Sequence, residues 1–331
     1  MSEPAEPAAG QDRANLRADC ERCFALCCVA PAFSASADFA IDKAAGRPCP
    51  NLSPDFRCGI HRHLRQRGFR GCAAYDCFGA GQKVAQLTFG GRDWRAAPRT
   101  ARQMFEVFAI MRQLHELLWY LTEARTLPAA RPLDADLGLA VAETERLTRG
   151  SPETLISLDL AAHRQAVNAL LLRASELARS GAAAQAAGHP GASPPGASHP
   201  GASPPGASPP GASHPGAIAP GTDRTGTRLP GARLAGADLT RVGLRGADLT
   251  GANLVGARLF GASLRGACLI GARLSGADLT LADVTGADLR DADLSGADLA
   301  GSIFLTQSQL DAARGDSRTA LPPAFSRPAH W

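Results

Sequence analysis

The sequence predicts a multidomain chain: a C-terminal repeat structure that turns once every five residues, a central run of amphipathic helices, and a small cysteine-rich module towards the N-terminus. Three observations carry this. Between Thr227 and Phe304, Leu returns at every fifth position from Leu229 to Leu279 and again at Leu289, Leu294 and Leu299, with Val284 replacing it once and Phe304 closing the series. Eight of the nine cysteines fall between Cys20 and Cys77. From Pro98 onward, apolar residues recur at spacings of three and four.

A period of five suits neither common secondary structure. On an α-helix each step would rotate by about 140° and scatter the leucines around the cylinder, and on a flat strand they would alternate faces. The chain must therefore turn once per unit. Ala stands two residues before most leucines (Ala232, Ala237, Ala247, Ala252) and Gly two residues after (Gly231, Gly236, Gly246, Gly251), which suits a cramped interior corner followed by a bend. Units such as Ala237-Asp238-Leu239 and Ala247-Asp248-Leu249 resemble the pentapeptide repeat family, whose signature is A-(D/N)-L-x-x. The resemblance covers about a quarter of the chain. It implies a right-handed quadrilateral β-helix in which each unit forms one side, so that sixteen units give about four coils and a rod roughly 20 Å tall. Inward leucines, each contributing about 1.5–3 kcal/mol on burial, would stack in columns.

The expected organisation is a disordered leader at 1–16, a Cys-rich metal-binding module at 17–95, a helical region at 96–181, a disordered Pro/Gly/Ala/Ser linker at 182–226, the β-helix at 227–304, and a capping helix with a tail at 305–331. The linker keeps the five-residue phase in its glycines, from Gly191 to Gly221. It places His189, Pro194, His199, Pro204, Pro209, His214 and Ala219 where Leu should stand, so no apolar column forms there and the prolines withhold donors. Beyond Phe304, Thr306-Gln307-Ser308-Gln309 has the form of a capping box for a short helix to about Gly315.

In the module the spacing is Cys20-x2-Cys23-x3-Cys27-Cys28, then Cys49-x8-Cys58, then Cys72-x4-Cys77, with His61 and His63 nearby. Thiolates at such spacings converge on one soft cation, and four complete a tetrahedral shell for zinc or anchor an iron–sulfur cluster. Eight suffice for two sites. The run Cys-Glu-Arg-Cys-Phe-Ala-Leu-Cys-Cys, with Cys49-Pro50-Asn51-Leu52, Cys58-Gly59-Ile60-His61, Cys72 and Cys77, resembles the YkgJ-like family of zinc- or iron-chelating domains over about sixty residues. The chain departs from that pattern in its first spacing and in having His61 where the family often places Tyr. The expected ligands are Cys20, Cys23, Cys27, Cys28, Cys49, Cys58, Cys72 and Cys77, with His61 as a further candidate. Zinc in a structural role is the first expectation, and iron or an iron–sulfur cluster is the alternative. Arg17, Arg22, Arg47, Arg57, Arg62, Arg65, Arg67 and Arg70 either offset the thiolate charge or form a solvated surface. Phe78-Gly79-Ala80-Gly81-Gln82-Lys83 lacks the third Gly and the Lys-Ser/Thr pair of a phosphate loop and reads as a turn.

Met104, Val107, Phe108, Met111, Leu114, Leu118 and Leu121 predict a helix starting at Pro98. A second runs from Asp134 to Thr148. A third opens at Ser151-Pro152 and continues to about Ser180 through Leu155, Leu158, Ala162, Leu170, Ala174 and Leu177. The three stripes bury against one another, either on the cysteine module or across a homodimer. Met104, Met111, Trp119, His115 and His163 read as core or surface residues without a catalytic partner.

A net charge of +4, carried almost wholly by Arg with Lys43 and Lys83 as the two lysines, does not point to nucleic acid. No run long enough to span a membrane is present, and Met1 to Cys20 lacks a signal-peptide core. The expected compartment is the reducing cytoplasm, where cysteines serve as thiols or metal ligands. The rod holds eight Asp and eight Arg between Thr227 and Gly301, with six of the aspartates after Arg273, and it has no His, Glu or Lys. Acid–base or nucleophilic catalysis on it lacks raw material. The sequence thus favours a non-enzymatic interaction scaffold with an unidentified protein partner. The alternative is a thiol or iron–sulfur redox sensor or enzyme at the cysteine cluster. DNA mimicry towards topoisomerases, known for some pentapeptide proteins, needs a long acidic rod rather than this short neutral one.

Overall fold

The computed structural model describes residues 13–187 and 218–331, apart from the side chains of 181–187. Of the disordered linker expected at 182–226, residues 188–217, with His189, His199 and His214, lie outside the described residues, whereas 182–187 continue the preceding helix and 221–226 already bond to the rod. Most of the leader also lies outside the described residues. The part of the leader that is described is tied down: Ala14–Leu16 form a short 3-10 turn, Leu16 is buried, and Arg13 pairs with Glu123 at 3.0 Å.

The C-terminal rod is a four-sided β-helix. Parallel bridges join residues one coil apart on four sides: Asp223 with Gly243, Arg228 with Asp248, Arg233 with Asn253, and Asp238 with Arg258, with each series continuing upward. Backbone groups close the ladder between coils, as where Leu264 N–H donates to the Asp283 carbonyl at 2.8 Å and Ser263 N–H to the Val242 carbonyl at 2.9 Å. The leucines at every fifth position from Leu239 to Leu299 are at most 3% exposed. At the corners the chain takes positive φ even where Gly is missing, at Arg241, Leu281 and Asp291, so the stacking overrides a local cost of about 1–3 kcal/mol per residue. The Asp of each unit has a local task. Asp238 and Asp248 accept the backbone N–H of Thr240 and Thr250 at 3.1 Å and their hydroxyls at 2.6 and 2.7 Å, an Asx turn that pins the bend.

The ladder starts earlier than residue 227. Arg224 N–H already donates to the Gly243 carbonyl, Asp223 bridges to Gly243, and Ile218 packs on the core. It also ends later: after a detour the chain returns at Arg314 and Ala320 to bridge Asp293 and Asp298. That detour holds α8 (Gln307–Ala312), with Thr306 and Gln309 forming the expected capping box. Phe325 and Trp331 of the tail pack back on the same core. Cys268 points outward as expected, its sulfur 3.2 Å from the Thr250 hydroxyl.

The N-terminal part contains α1 (Leu26–Val29), α2 (Arg70–Ala73), α3 (Ala80–Gln82, running into a π-helical stretch at Lys83–Thr88), α4 (Pro98–Thr126), α5 (Asp134–Leu147), α6 (Pro152–Ile156) and α7 (Leu160–Ala187). Every residue of the expected α4 stripe is buried, as are Leu117, Trp119, Tyr120 and His115, because α4 is packed on several sides. The single helix expected from Ser151 is two. The Ser151 hydroxyl caps α6, and after a break the Asp159 carboxylate caps the restarted helix through Ala162 N–H at 3.0 Å. The restart changes the phase, so α7 buries Val167, Leu171, Ala174 and Ala178 while Ala162 and Leu177 are exposed. These stripes are buried within one chain rather than requiring a second copy.

Rod and helical part are packed together. Ser175 of α7 donates to the fully buried Asp283 carboxylate at 2.6 Å, and Arg265 of the rod reaches Asn168 at 3.1 Å. Tyr120 meets Phe304 edge-on at 6.0 Å between ring centroids. Near the far end, Arg70 pairs with Asp291 at 2.6 Å, Arg290 pairs with Asp38, and Arg65 donates to the Asp311 and Ala313 carbonyls.

Placing a carboxylate in the leucine column by Leu264→Asp should cost more than about 4 kcal/mol and abolish cooperative melting followed by circular dichroism; a variant that melts like wild type would show that Leu264 does not face inward. The Thr250 hydroxyl holds the Asp248 carboxyl below its ordinary value. Such a group contributes stability above the unfolded carboxylate pKa and loses it as pH falls through its lower folded value. Thr250→Val should therefore raise the Asp248 pKa in an NMR titration and move the onset of acid unfolding to higher pH.

Candidate metal centre

Three separated stretches of chain converge in the module. Phe24 and Ala25 both adopt left-handed φ, near 50° and 53°, which turns the chain sharply between Cys23 and Cys27. Trp94 fixes that turn by donating to the Phe24 carbonyl at 2.8 Å. Cys49 N–H donates to the Cys28 carbonyl at 3.0 Å, joining the first stretch to the second, in which Leu52 and Cys58 form an antiparallel bridge. Cys72 sits on α2, and Cys77 precedes α3. At the Phe78-Gly79 turn, Gly79 has φ 76°, and a Cβ there would stand 2.3 Å from the Asn15 carbonyl oxygen, so Gly is needed for conformation rather than for phosphate.

All eight cysteines line one cavity of about 720 Å³, and none is in a disulfide. Cys20 is exposed, Cys23 and Cys49 are buried, and the other five lie between. The Cys27 and Cys28 sulfurs are 3.9 Å apart, whereas the Cys23 thiol points at the Cys20 backbone carbonyl at 3.5 Å. Among the described residues no three His, Cys, Asp or Glu side chains converge closely enough to hold a metal ion. The ligand set expected from the sequence is thus gathered around one space without being assembled into a coordination shell. His61 and His63 stand exposed at the rim on a short 3-10 turn.

The surroundings hold the thiols unequally. The neighbouring Cys23 thiol lowers Cys20 to about 6, and the adjacent Cys27 thiol lowers Cys28. Cys23 and Cys27 are raised in turn, chiefly by those same partners. Burial raises Cys58 and Cys77 and pushes Cys72 up to about 12. A desolvated thiol stays protonated unless a cation compensates the charge.

Lys43 escaped the sequence reading. Only 6% exposed, its ammonium donates to the carbonyls of Val29, Pro31, Ala44 and Arg47 and lies 5.3 Å over the Phe33 ring. It ties together the loop that connects the first two cysteine stretches. A compact ammonium on a flexible stem suits four carbonyls where a planar guanidinium would not, and one of only two lysines in an Arg-rich chain was the available signal. Of the arginines proposed to offset thiolate charge, Arg65 and Arg70 are instead committed to the rod, and Arg57 pairs with Glu21 at 2.9 Å.

Residues 221–304 match the family profile described as pentapeptide repeats, in eight copies, and the rod is built of such repeats. The match does not extend to the cysteine module. YybG, an uncharacterized protein of Bacillus subtilis (strain 168), is 55% identical over 168 residues. That stretch is longer than the matched repeats, so the likeness reaches beyond them. It covers 51% of this chain and 60% of YybG, so the chain spans less than two thirds of that relative. Among solved structures, a pentapeptide repeat protein of the Arabidopsis thaliana thylakoid lumen is 33% identical, with a TM-score of 0.21, over 32% of this chain and 61% of that one. The pentapeptide repeat protein alr5209 of Nostoc PCC 7120 is 31% identical, with a TM-score of 0.25, over 28% and 76%.

Lys43→Met, which keeps the stem and removes the donors, should destabilise the chain by about 2–4 kcal/mol by leaving buried carbonyls unpaired. Chemical denaturation measures this, and a loss below about 0.5 kcal/mol would show the ammonium to be dispensable.

Proposed function

We propose that the chain is a non-enzymatic interaction scaffold in which a cysteine-bound metal, zinc in a structural role, consolidates the N-terminal module, and the pentapeptide-repeat rod offers its uncovered sides to a protein partner. One observation carries the metal reading: eight thiols from three separated stretches surround one cavity. The donor chemistry fits a soft cation, since thiolates are zinc's preferred structural ligands. Bound zinc would supply the positive charge that lets the raised thiols ionise, so uptake would release protons and add to folding stability.

Support for the scaffold role comes from the chemistry of the rod. Its exposed ladders carry Arg, Asp, Asn and Thr, and its outward carboxylates are engaged in turns, as at Asp238 and Asp248, or in pairs with Arg, as at Asp288 and Asp291. The exposed Cys20 beside a buried Cys23 favours a thiol-redox function as the second reading.

Elemental analysis and an absorption spectrum of anaerobically purified full-length protein separate the two. The scaffold reading expects a colourless protein with about one to two zinc ions per chain, and removal by a chelator should lower its melting temperature. Visible absorption with bound iron, or metal-free protein whose Cys20 and Cys23 form a disulfide under mild oxidant, would replace it with the redox reading.

A further inference from the structure

A second cavity, of about 430 Å³, lies at the seam between the helices and the rod. Its rod wall is one corner column in which Thr225, Arg245, Arg265 and Thr285 stand above one another in successive coils, Gly246 N–H donating to the Arg265 carbonyl at 2.9 Å. Two arginines are thus stacked roughly 4.8 Å apart along the ladder, an arrangement that repels unless something neutralises it. The helical wall adds Arg164 of α7 and Tyr120 of α4.

The carboxylates nearby meet one of these charges: Arg265 pairs with Asp283, whereas among the described residues Arg164 and Arg245 have no carboxylate within ion-pair distance, although Asp223 feels the charge of Arg245. Asp283 is fully buried beneath, where it holds Ser175 and Thr285 and stands 3.7 Å from Arg265. Glu116, the carboxylate on the lining, faces Arg112 at 3.5 Å. Arg265 is positioned by bonds to Thr285 at 3.0 Å and Asn168 at 3.1 Å, and Arg164 is positioned by Gln113. Among the described residues Arg245 has no ion-pair or hydrogen-bond partner for its guanidinium, and the Tyr120 hydroxyl has none either, although Tyr120 is only 6% exposed and its ring is held by Phe304. The site therefore combines an open cleft of ligand size, three guanidinium groups of which Arg164 and Arg245 lack a carboxylate partner, and a tyrosine hydroxyl that reaches the cleft without a protein partner.

We propose that this seam cleft binds a small dianion, a phosphate monoester or a dicarboxylate, held by Arg164, Arg245, Arg265 and the Tyr120 hydroxyl. The site is independent of the metal reading. Because its groups come from both the helices and the rod, the bound anion links the two and stabilises their packing. With Arg164 and Arg245 exposed, the affinity falls as salt rises.

Calorimetric titration and thermal melts of the full chain test this, with inorganic phosphate and succinate as separate probes against sodium chloride at matched ionic strength. At least one probe should bind near one per chain and raise the melting temperature, and which one does so identifies the anion class. Arg245→Gln should weaken binding by about tenfold or more, and Tyr120→Phe by a few-fold, while Arg228→Gln, on another side of the rod, leaves it unchanged. If neither probe exceeds chloride, if Arg245→Gln binds like wild type, or if Arg228→Gln has the same effect, the proposal fails.

Discussion

The stacking of one coil upon the next is the constraint on which the rest of the structure depends. A five-residue side repeated four times returns the chain above itself, so a residue's position along the sequence dictates its neighbours above and below. Leu columns fill the inside, and the backbone ladder leaves no room for a slip of register. The same rule builds the outside. It puts Arg245 directly over Arg265, keeps Asp283 at a level that α7 can cover, and presents Arg290 and Asp291 together at one corner. Positive φ at Arg241, Leu281 and Asp291 shows that the ladder dictates conformation even to residues that would avoid it in isolation.

Charge on the rod is asymmetric along its axis, and much of that asymmetry is satisfied within the chain. Asp283 receives Ser175, and Asp291 receives Arg70; Arg290, between them, takes Asp38. An acidic half that the composition alone offers to an outside partner is in large part the half against which the N-terminal module and α7 are packed. Breaking the buried Ser175–Asp283 contact would leave a polar group without a donor away from water, which costs more than losing an exposed pair. The sides carrying Asp238, Asp278 and Asp298, or Arg233 and Arg273, stay on the surface.

The cysteine module follows a different logic. It has a small apolar core and relies on polar ties across loops: Lys43 to four carbonyls, Trp94 to Phe24, Cys49 to Cys28. Such ties bring distant thiols around one cavity, yet they act on the backbone and do not bring three sulfurs to a common point among the described residues.

What the sequence determined by itself was whatever depends on local periodicity. The coil geometry was legible because the five-residue rhythm with a central Leu admits one buried column, and the α4 stripe was legible from its three- and four-residue spacing. The capping box at Thr306 and the N-cap at Ser151 were readable because their chemistry is local. The convergence of eight cysteines could be anticipated from their density, but not the route taken, since left-handed residues at Phe24 and Ala25 and the role of Lys43 have no periodic signature. The break before α7 was missed because Asp159, a cap, sits inside an otherwise helical pattern. Only the tertiary structure decided that the rod packs on the helices and where the seam runs. The physical reason is that Ser175 with Asp283, Arg70 with Asp291 and the arginine column facing Tyr120 are pairings between residues far apart in sequence, brought together by two surfaces that each fold for reasons of their own.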